Sequence, residues 1–236
     1  MLTSKKLWAA GTHLYTMSGV LFSLWATIAL IEQDIGAFLL ALFLAVVVDA
    51  TDGTMARRLG IKEIYPNFDG AKLDDLIDYL TFVFLPCMGL IQFGILEPGW
   101  NWVAAVPMLA SLYGFCQDNA KTEESFVGFP SYWNLVFLYL YVLEFPNTMA
   151  IGVLLFFSLL IFVPLHYIYP TKTRFMKRTT TLLSIGYGLL VAYVCLFPNT
   201  PSADTAAGMS LVFPAYYMSL SIIHHFRVTR GEREGA

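Results

Sequence analysis

Eight stretches of fifteen to twenty-five mostly apolar residues succeed one another along the chain, at approximately 7–31, 35–56, 73–96, 99–117, 131–145, 148–169, 179–198 and 204–226. A helix of about 20 such residues crosses a hydrocarbon core of about 30 Å, and helices satisfy their own backbone groups there. The pattern therefore predicts an all-α, polytopic integral membrane helical bundle. Charge content agrees, since 13% of the 236 residues are charged against about 25% in an ordinary soluble domain. The first stretch follows Lys5 and Lys6, but it is too long for a signal-peptide core. Its small residues, Ala9, Ala10 and Gly11, also precede the apolar run instead of following it.

The distribution of basic residues sets the expected topology. The fourteen are Lys5 and Lys6; Arg57, Arg58, Lys62 and Lys72; Lys121; Lys172, Arg174, Lys177 and Arg178; and Arg227, Arg230 and Arg233. With eight crossings all of them fall on one side, and the opposite loops near 32–34, 97–98, 146–147 and 199–203 carry none. The positive-inside rule then puts both termini in the cytoplasm. No break in composition and no fixed repeat divides the chain, so one domain over 1–236 is expected. A net charge of -3 without a block of like charges gives no reason to expect a nucleic-acid partner. Cys87, Cys116 and Cys195 are too few and too dispersed for a disulfide framework or a zinc site.

Acidic residues at membrane depth are costly and usually line a site. Here they cluster. Asp49 and Asp52 lie near the cytoplasmic end of the second stretch, and Asp74, Asp75 and Asp78 lie just inside the third. At 3.6 residues per turn Asp49 and Asp52 point within about 60° of one another and Asp74 and Asp78 within about 40°, whereas Asp75 is turned away by about 100°. Consecutive antiparallel helices can bring those four acids to one depth. Four carboxylates so placed need cations, and hard oxygen donors suit magnesium, manganese or calcium. A pair of such ions is a known device for phosphoryl transfer. Gly53 and Gly70 clear space beside the acids, and Arg57 can hold phosphate. Asp75, Arg58 and Asp69 are read as structural charges. His13, His166, His224 and His225 fall near helix ends and are read as interfacial packing.

The string Asp49-x2-Asp52-Gly53-x2-Ala56-Arg57-x12-Gly70-x3-Asp74-x3-Asp78 resembles the signature of the CDP-alcohol phosphotransferase family of membrane enzymes. In most of that family about eight residues separate the Arg from the second Gly. The longer spacing here, the chain length and the segment Gly128 to Asn134 look like a bacterial branch that joins CDP-diacylglycerol to free choline. The resemblance implies that Asp49, Asp52 and Asp74 bind two divalent ions, manganese or magnesium. Asp78 would complete the site and act as general base. Gly53, Ala56 and Gly70 would make room for the nucleotide, with Arg57 near its phosphates. It further implies the inner membrane of a bacterium, an active site facing the cytoplasm, membrane-lipid partners and a homodimer.

A quaternary ammonium such as choline is held by aromatic faces and acids. Glu123, Glu124, Phe126, Phe129, Tyr132, Trp133 and Asn134 offer that mixture on the same side as the aspartates, and Glu123, Glu124, Tyr132, Trp133 and Asn134 are the candidate choline contacts. Lys121 and Arg174 are the candidate contacts to the lipid's diphosphate. Two other readings compete. A different acceptor, such as glycerol phosphate, serine or inositol, would call for another pocket. A cation or proton transporter would place its acids at the midplane and interrupt matching helices in two halves; neither is seen in this sequence.

Overall fold

The computed structural model describes residues 2–118, 120–122, 125–170, 173 and 175–234. Its helices are α1 (Leu2–Met17), α2 (Gly19–Glu32), α3 (Ile35–Leu59), α4 (Ile61–Ile64), α5 (Gly70–Asp78), α6 (Leu85–Gln92), α7 (Ala105–Phe115), α8 (Trp133–Val142), α9 (Asn147–Phe162), α10 (Lys177–Leu196), α11 (Pro201–Ser210) and α12 (Val212–Glu234). A π-helical segment, Tyr79–Phe84, joins α5 to α6, and a 3-10 segment, Pro98–Ala104, leads into α7.

Four helical stretches among the described residues are long and apolar enough to cross a membrane: Lys5–Glu32, Ile35–Leu59, Lys177–Leu196 and Pro201–Arg230. The other four predicted stretches are also mainly helical but broken or short. The third is divided by the π-helical segment, the fourth begins as 3-10 helix, and the fifth is the ten-residue α8. The predicted sixth stretch, 148–169, runs past its helix. α9 ends at Phe162, before Pro164, and 166–168 is instead strand β2 (His166–Ile168). It pairs antiparallel with β1 (Ser125–Val127), Phe126 opposite Tyr167. Proline cannot donate the helical hydrogen bond and disfavours helix at the residue before it, which accounts for the stop.

Close helix packing fixes where the acids sit. A Cβ on Gly19 would stand 2.5 Å from Ile77 Cγ2, so α2 and α5 approach at a distance only glycine permits, one residue before Asp78. Deeper in the bundle a Cβ on Gly89 would meet Phe137 at 2.9 Å and Phe38 at 3.0 Å. Those two rings meet edge to face at 5.2 Å, joining α3, α6 and α8 in a single apolar core. Interiors packed at this density transmit rather than absorb a displaced helix. Asp34 and Asp69 cap α3 and α5, accepting hydrogen bonds from Ala37 N and Lys72 N, each at 3.0 Å. The structural reading of Asp69 thus matches a specific job, holding the first turn of the helix that carries Asp74 and Asp78.

Candidate active site

The last turns of α3 and the whole of α5 supply the acids. One carboxylate oxygen from each of Asp49, Asp74 and Asp78 lies within 4.8 Å of the others, a spacing that could hold a metal ion. Asp74 and Asp78 come together because α5 stays regular through Asp78 and widens only at Tyr79, where the π-helical segment begins. Such insertions are frequent at functional sites. Asp52 is not part of this close group. Its side chain is buried between Thr16 of α1 and the backbone of Gly53, the next residue on α3, while remaining in the electrostatic field of Asp49 and Asp74.

Around the acids lie their counter-charges. Lys121 Nζ donates to Asp75 Oδ1 at 2.8 Å and stands 3.6 Å from Asp74 Oδ2. Burial works against its charge, but the hydrogen bond to Asp75 and the fields of Asp78 and Asp74 outweigh it and hold its pKa above the ordinary lysine value. Lys121 therefore compensates the acids of this structure. Replacing it by Met should lower the melting temperature of the metal-free protein by about 2–4 °C, the effect of about 1 kcal/mol in a chain of this size. Saturating divalent ion should remove most of that difference. Thermal melts with and without Mn²⁺ check it, and an equal loss in both would assign Lys121 a role independent of the acids.

Arg57 folds back over α3, its Nη2 donating to Thr54 Oγ1 at 3.1 Å. A Cβ on Gly53 would stand 3.2 Å from Arg57 Nη1, a tight contact that the flexible guanidinium would have to ease by a few tenths of an ångström. Ala56 is half-buried on the same helix. Gly70 begins α5, and a Cβ there would stand 3.4 Å from His13 Cε1.

The predicted choline segment divides. Trp133 is 1% exposed and its Nε1 donates to Ser111 Oγ at 2.8 Å, and Asn134 is buried, its Oδ1 accepting from Leu135 N at 2.9 Å. Both side chains serve the bundle interior. Tyr132 differs: its ring lies 6.4 Å from Phe82, four residues on from Asp78, and its hydroxyl is within electrostatic reach of Asp49 and Asp78. Glu123, Glu124 and Arg174 lie outside the described residues. Two aromatic residues join Tyr132: Phe126, which the sequence already places in the same segment, and Tyr169, which sequence reading missed. Tyr169, just beyond β2, stacks on Phe126 of β1 at 4.5 Å and 16°, and its hydroxyl is in the field of Asp49, Lys121 and Asp74. Phe126 also forms an isolated bridge with Lys121, which ties this aromatic pair to the lysine on the acids. The alternation Tyr167-x-Tyr169 before Pro170 was the one available signal, a period of two inside a run otherwise read as helix.

Comparison with known proteins follows the same residues. The profile of the CDP-alcohol phosphatidyltransferase family matches residues 12–164, which contain every acid described above. A protein of Pseudomonas aeruginosa named phosphatidylcholine synthase is 38% identical over 196 residues, covering 80% of this chain and 82% of its own. One of Legionella bozemanae with the same name is 37% identical over 190 residues, covering 76% and 87%. A third so named, from Legionella pneumophila, is 32% identical over 219 residues, covering 89% and 85%. With a match across most of the chain and the acidic signature assembled on two packed helices, this protein belongs to the CDP-alcohol phosphatidyltransferase family.

Proposed function

We propose that this chain transfers the phosphatidyl group of CDP-diacylglycerol to the hydroxyl of free choline and releases CMP. The observation that carries the reading is the gathering of Asp49, Asp74 and Asp78 within 4.8 Å at the family signature; relatives that bear the name phosphatidylcholine synthase support the acceptor. The donor set fits a hard divalent cation, since every clustered ligand is a carboxylate and no sulfur or imidazole joins it among the described residues. Asp49, Asp74 and Asp78 would hold one Mn²⁺ or Mg²⁺, and Asp52 would share a second. When bound, the ions neutralise the diphosphate and the phosphate that leaves with CMP.

Asp78 accepts the proton of the choline hydroxyl. The oxygen attacks the phosphorus that bears diacylglycerol, and the bond from that phosphorus to the CMP oxygen breaks in line. Arg57, Lys121 and Arg174 bind phosphate oxygens, and Gly53, Ala56 and Gly70 leave room for the nucleotide. Tyr132, Tyr169 and Phe126 offer aromatic faces to the trimethylammonium group, with Glu123 and Glu124 adding negative charge. Trp133 and Asn134 act from beneath, by fixing the start of α8 and hence Tyr132. The one-sided distribution of basic residues supports eight crossings, cytoplasmic termini and a cytoplasm-facing site in a bacterial inner membrane. In this reading residues 1–236 form one domain, which works as a homodimer.

Purified protein supplied with CDP-diacylglycerol and Mn²⁺ should release CMP only when choline is added. Release driven instead by serine, inositol or glycerol phosphate would change the acceptor, and no release with any of them would leave a transporter as the better reading. Tyr132→Ala should raise the choline KM about tenfold, the loss of one cation–π contact of about 1–2 kcal/mol. The KM for CDP-diacylglycerol should stay within about twofold on the same scale; equal changes in both would remove Tyr132 from the acceptor pocket.

A further inference from the structure

The twelve residues between Arg57 and Gly70 have no part in the chemistry above, nor does His13. They meet. The His13 ring lies 4.3 Å from Phe68 and 6.0 Å from Tyr65, and Tyr65 ties the segment to α1 through a hydrogen bond from its hydroxyl to Lys6 O at 3.3 Å. On its other side His13 lies against Gly70, where a Cβ would come within 3.4 Å of its Cε1. Its Nε2 is covered yet has no hydrogen-bond partner, an unusual state for a buried polar atom and one that a ligand group would relieve. Phe68, by contrast, is 41% exposed although it packs on that ring.

Direction along the helices connects this corner to the acids. On α1, Thr16 faces Asp52, and His13 lies nearly one turn closer to the helix start. On α5, Gly70 lies one turn before Asp74, again toward the loop end of the site. A nucleotide whose phosphates meet the acids therefore extends past Gly70 into the corner made by His13, Tyr65 and Phe68. Aromatic faces beside an unused ring nitrogen suit a flat base that stacks and accepts a hydrogen bond, whereas a phosphate would call for cationic groups.

Building on the proposed use of a CDP-lipid, we propose that His13 and Phe68 receive the pyrimidine ring of the nucleotide, Nε2 donating to the base and the phenyl ring stacking on it. The test is titration calorimetry of the full-length protein in detergent with Mn²⁺, using CMP and ribose 5-phosphate as probes. His13→Phe keeps a ring against Gly70 and removes the donor, and it should weaken CMP binding about tenfold while leaving ribose 5-phosphate unchanged. Phe68→Ala should do the same by loss of stacking. His13→Leu is measured alongside so that poor folding of one variant leaves another to decide. CMP binding within about twofold of the parent in these variants would make the corner mere packing, and an equal loss for ribose 5-phosphate would move the contact from base to sugar or phosphate; either overturns the proposal. A parent protein that binds no CMP at all overturns the CDP-lipid reading itself, a separate result.

Discussion

Asp78→Asn should reduce kcat by about 10³- to 10⁴-fold, the scale of a lost general base, while Mn²⁺ and CMP still bind within about tenfold of the parent. The asymmetry follows from position. Asn keeps one oxygen donor in the same place but cannot accept the choline proton. It also leaves Asp49 and Asp74, the other two members of the close group, intact on their own helices. The neighbouring contact of Ile77 against Gly19 holds α5 to α2 and is untouched by the change. Removing one of three mutually repelling carboxylates should even stabilise the metal-free bundle, as often happens when a strained functional residue is neutralised. Rapid-quench measurement of CMP formation, with Mn²⁺ binding followed by calorimetry, separates the two effects. Metal affinity lost together with turnover would leave Asp78 a ligand only and give the base role to another group.

Much of this site could be read along the chain because it sits on regular helix. Spacing of four residues put Asp74 and Asp78 on one face, and the structure keeps them there because α5 is undistorted until Tyr79. The same argument overreached for Asp52. A three-residue step turns a side chain by about 60° from its neighbour, and that was enough to carry Asp52 out of the close group and toward Thr16 on α1, a helix whose placement no local pattern encodes. Long-range partners were the main loss. Trp133 looked like a ligand-facing aromatic until its bond to Ser111, 22 residues away, showed it to be part of the core. Tyr169 reaches the acids only because two three-residue strands, 41 positions apart, pair β2 with β1; strands that short leave almost no periodic signal. The breaks within the predicted third and fourth stretches were hidden for a related reason, since hydropathy reports burial in lipid and is blind to whether the backbone there is α, π or 3-10.

Asp49→Asn should fail in the opposite sense from Asp78→Asn. Asp49 sits alone on α3 among the three close acids, so its loss removes the only link through which an ion could join α3 to α5 in that group. The Mn²⁺ concentration for half-maximal activity should rise about 100-fold, corresponding to about 2.7 kcal/mol of binding, and high Mn²⁺ should recover a large part of kcat because the proton acceptor is still present. Asp52→Asn should also raise the Mn²⁺ requirement, but by less if its ion is shared with fewer acids than the first. Removing metal with a chelator should abolish turnover in every variant, and adding Mn²⁺ back should restore the parent. These curves distinguish an ion-binding cluster from a charge network that merely ties helices together. In the second case Lys121 already balances Asp74 and Asp75, neutralising Asp49 would stabilise the fold, and activity would show no dependence on divalent ion. An Mn²⁺ titration identical in the parent and Asp49→Asn would therefore remove the metal assignment for this aspartate.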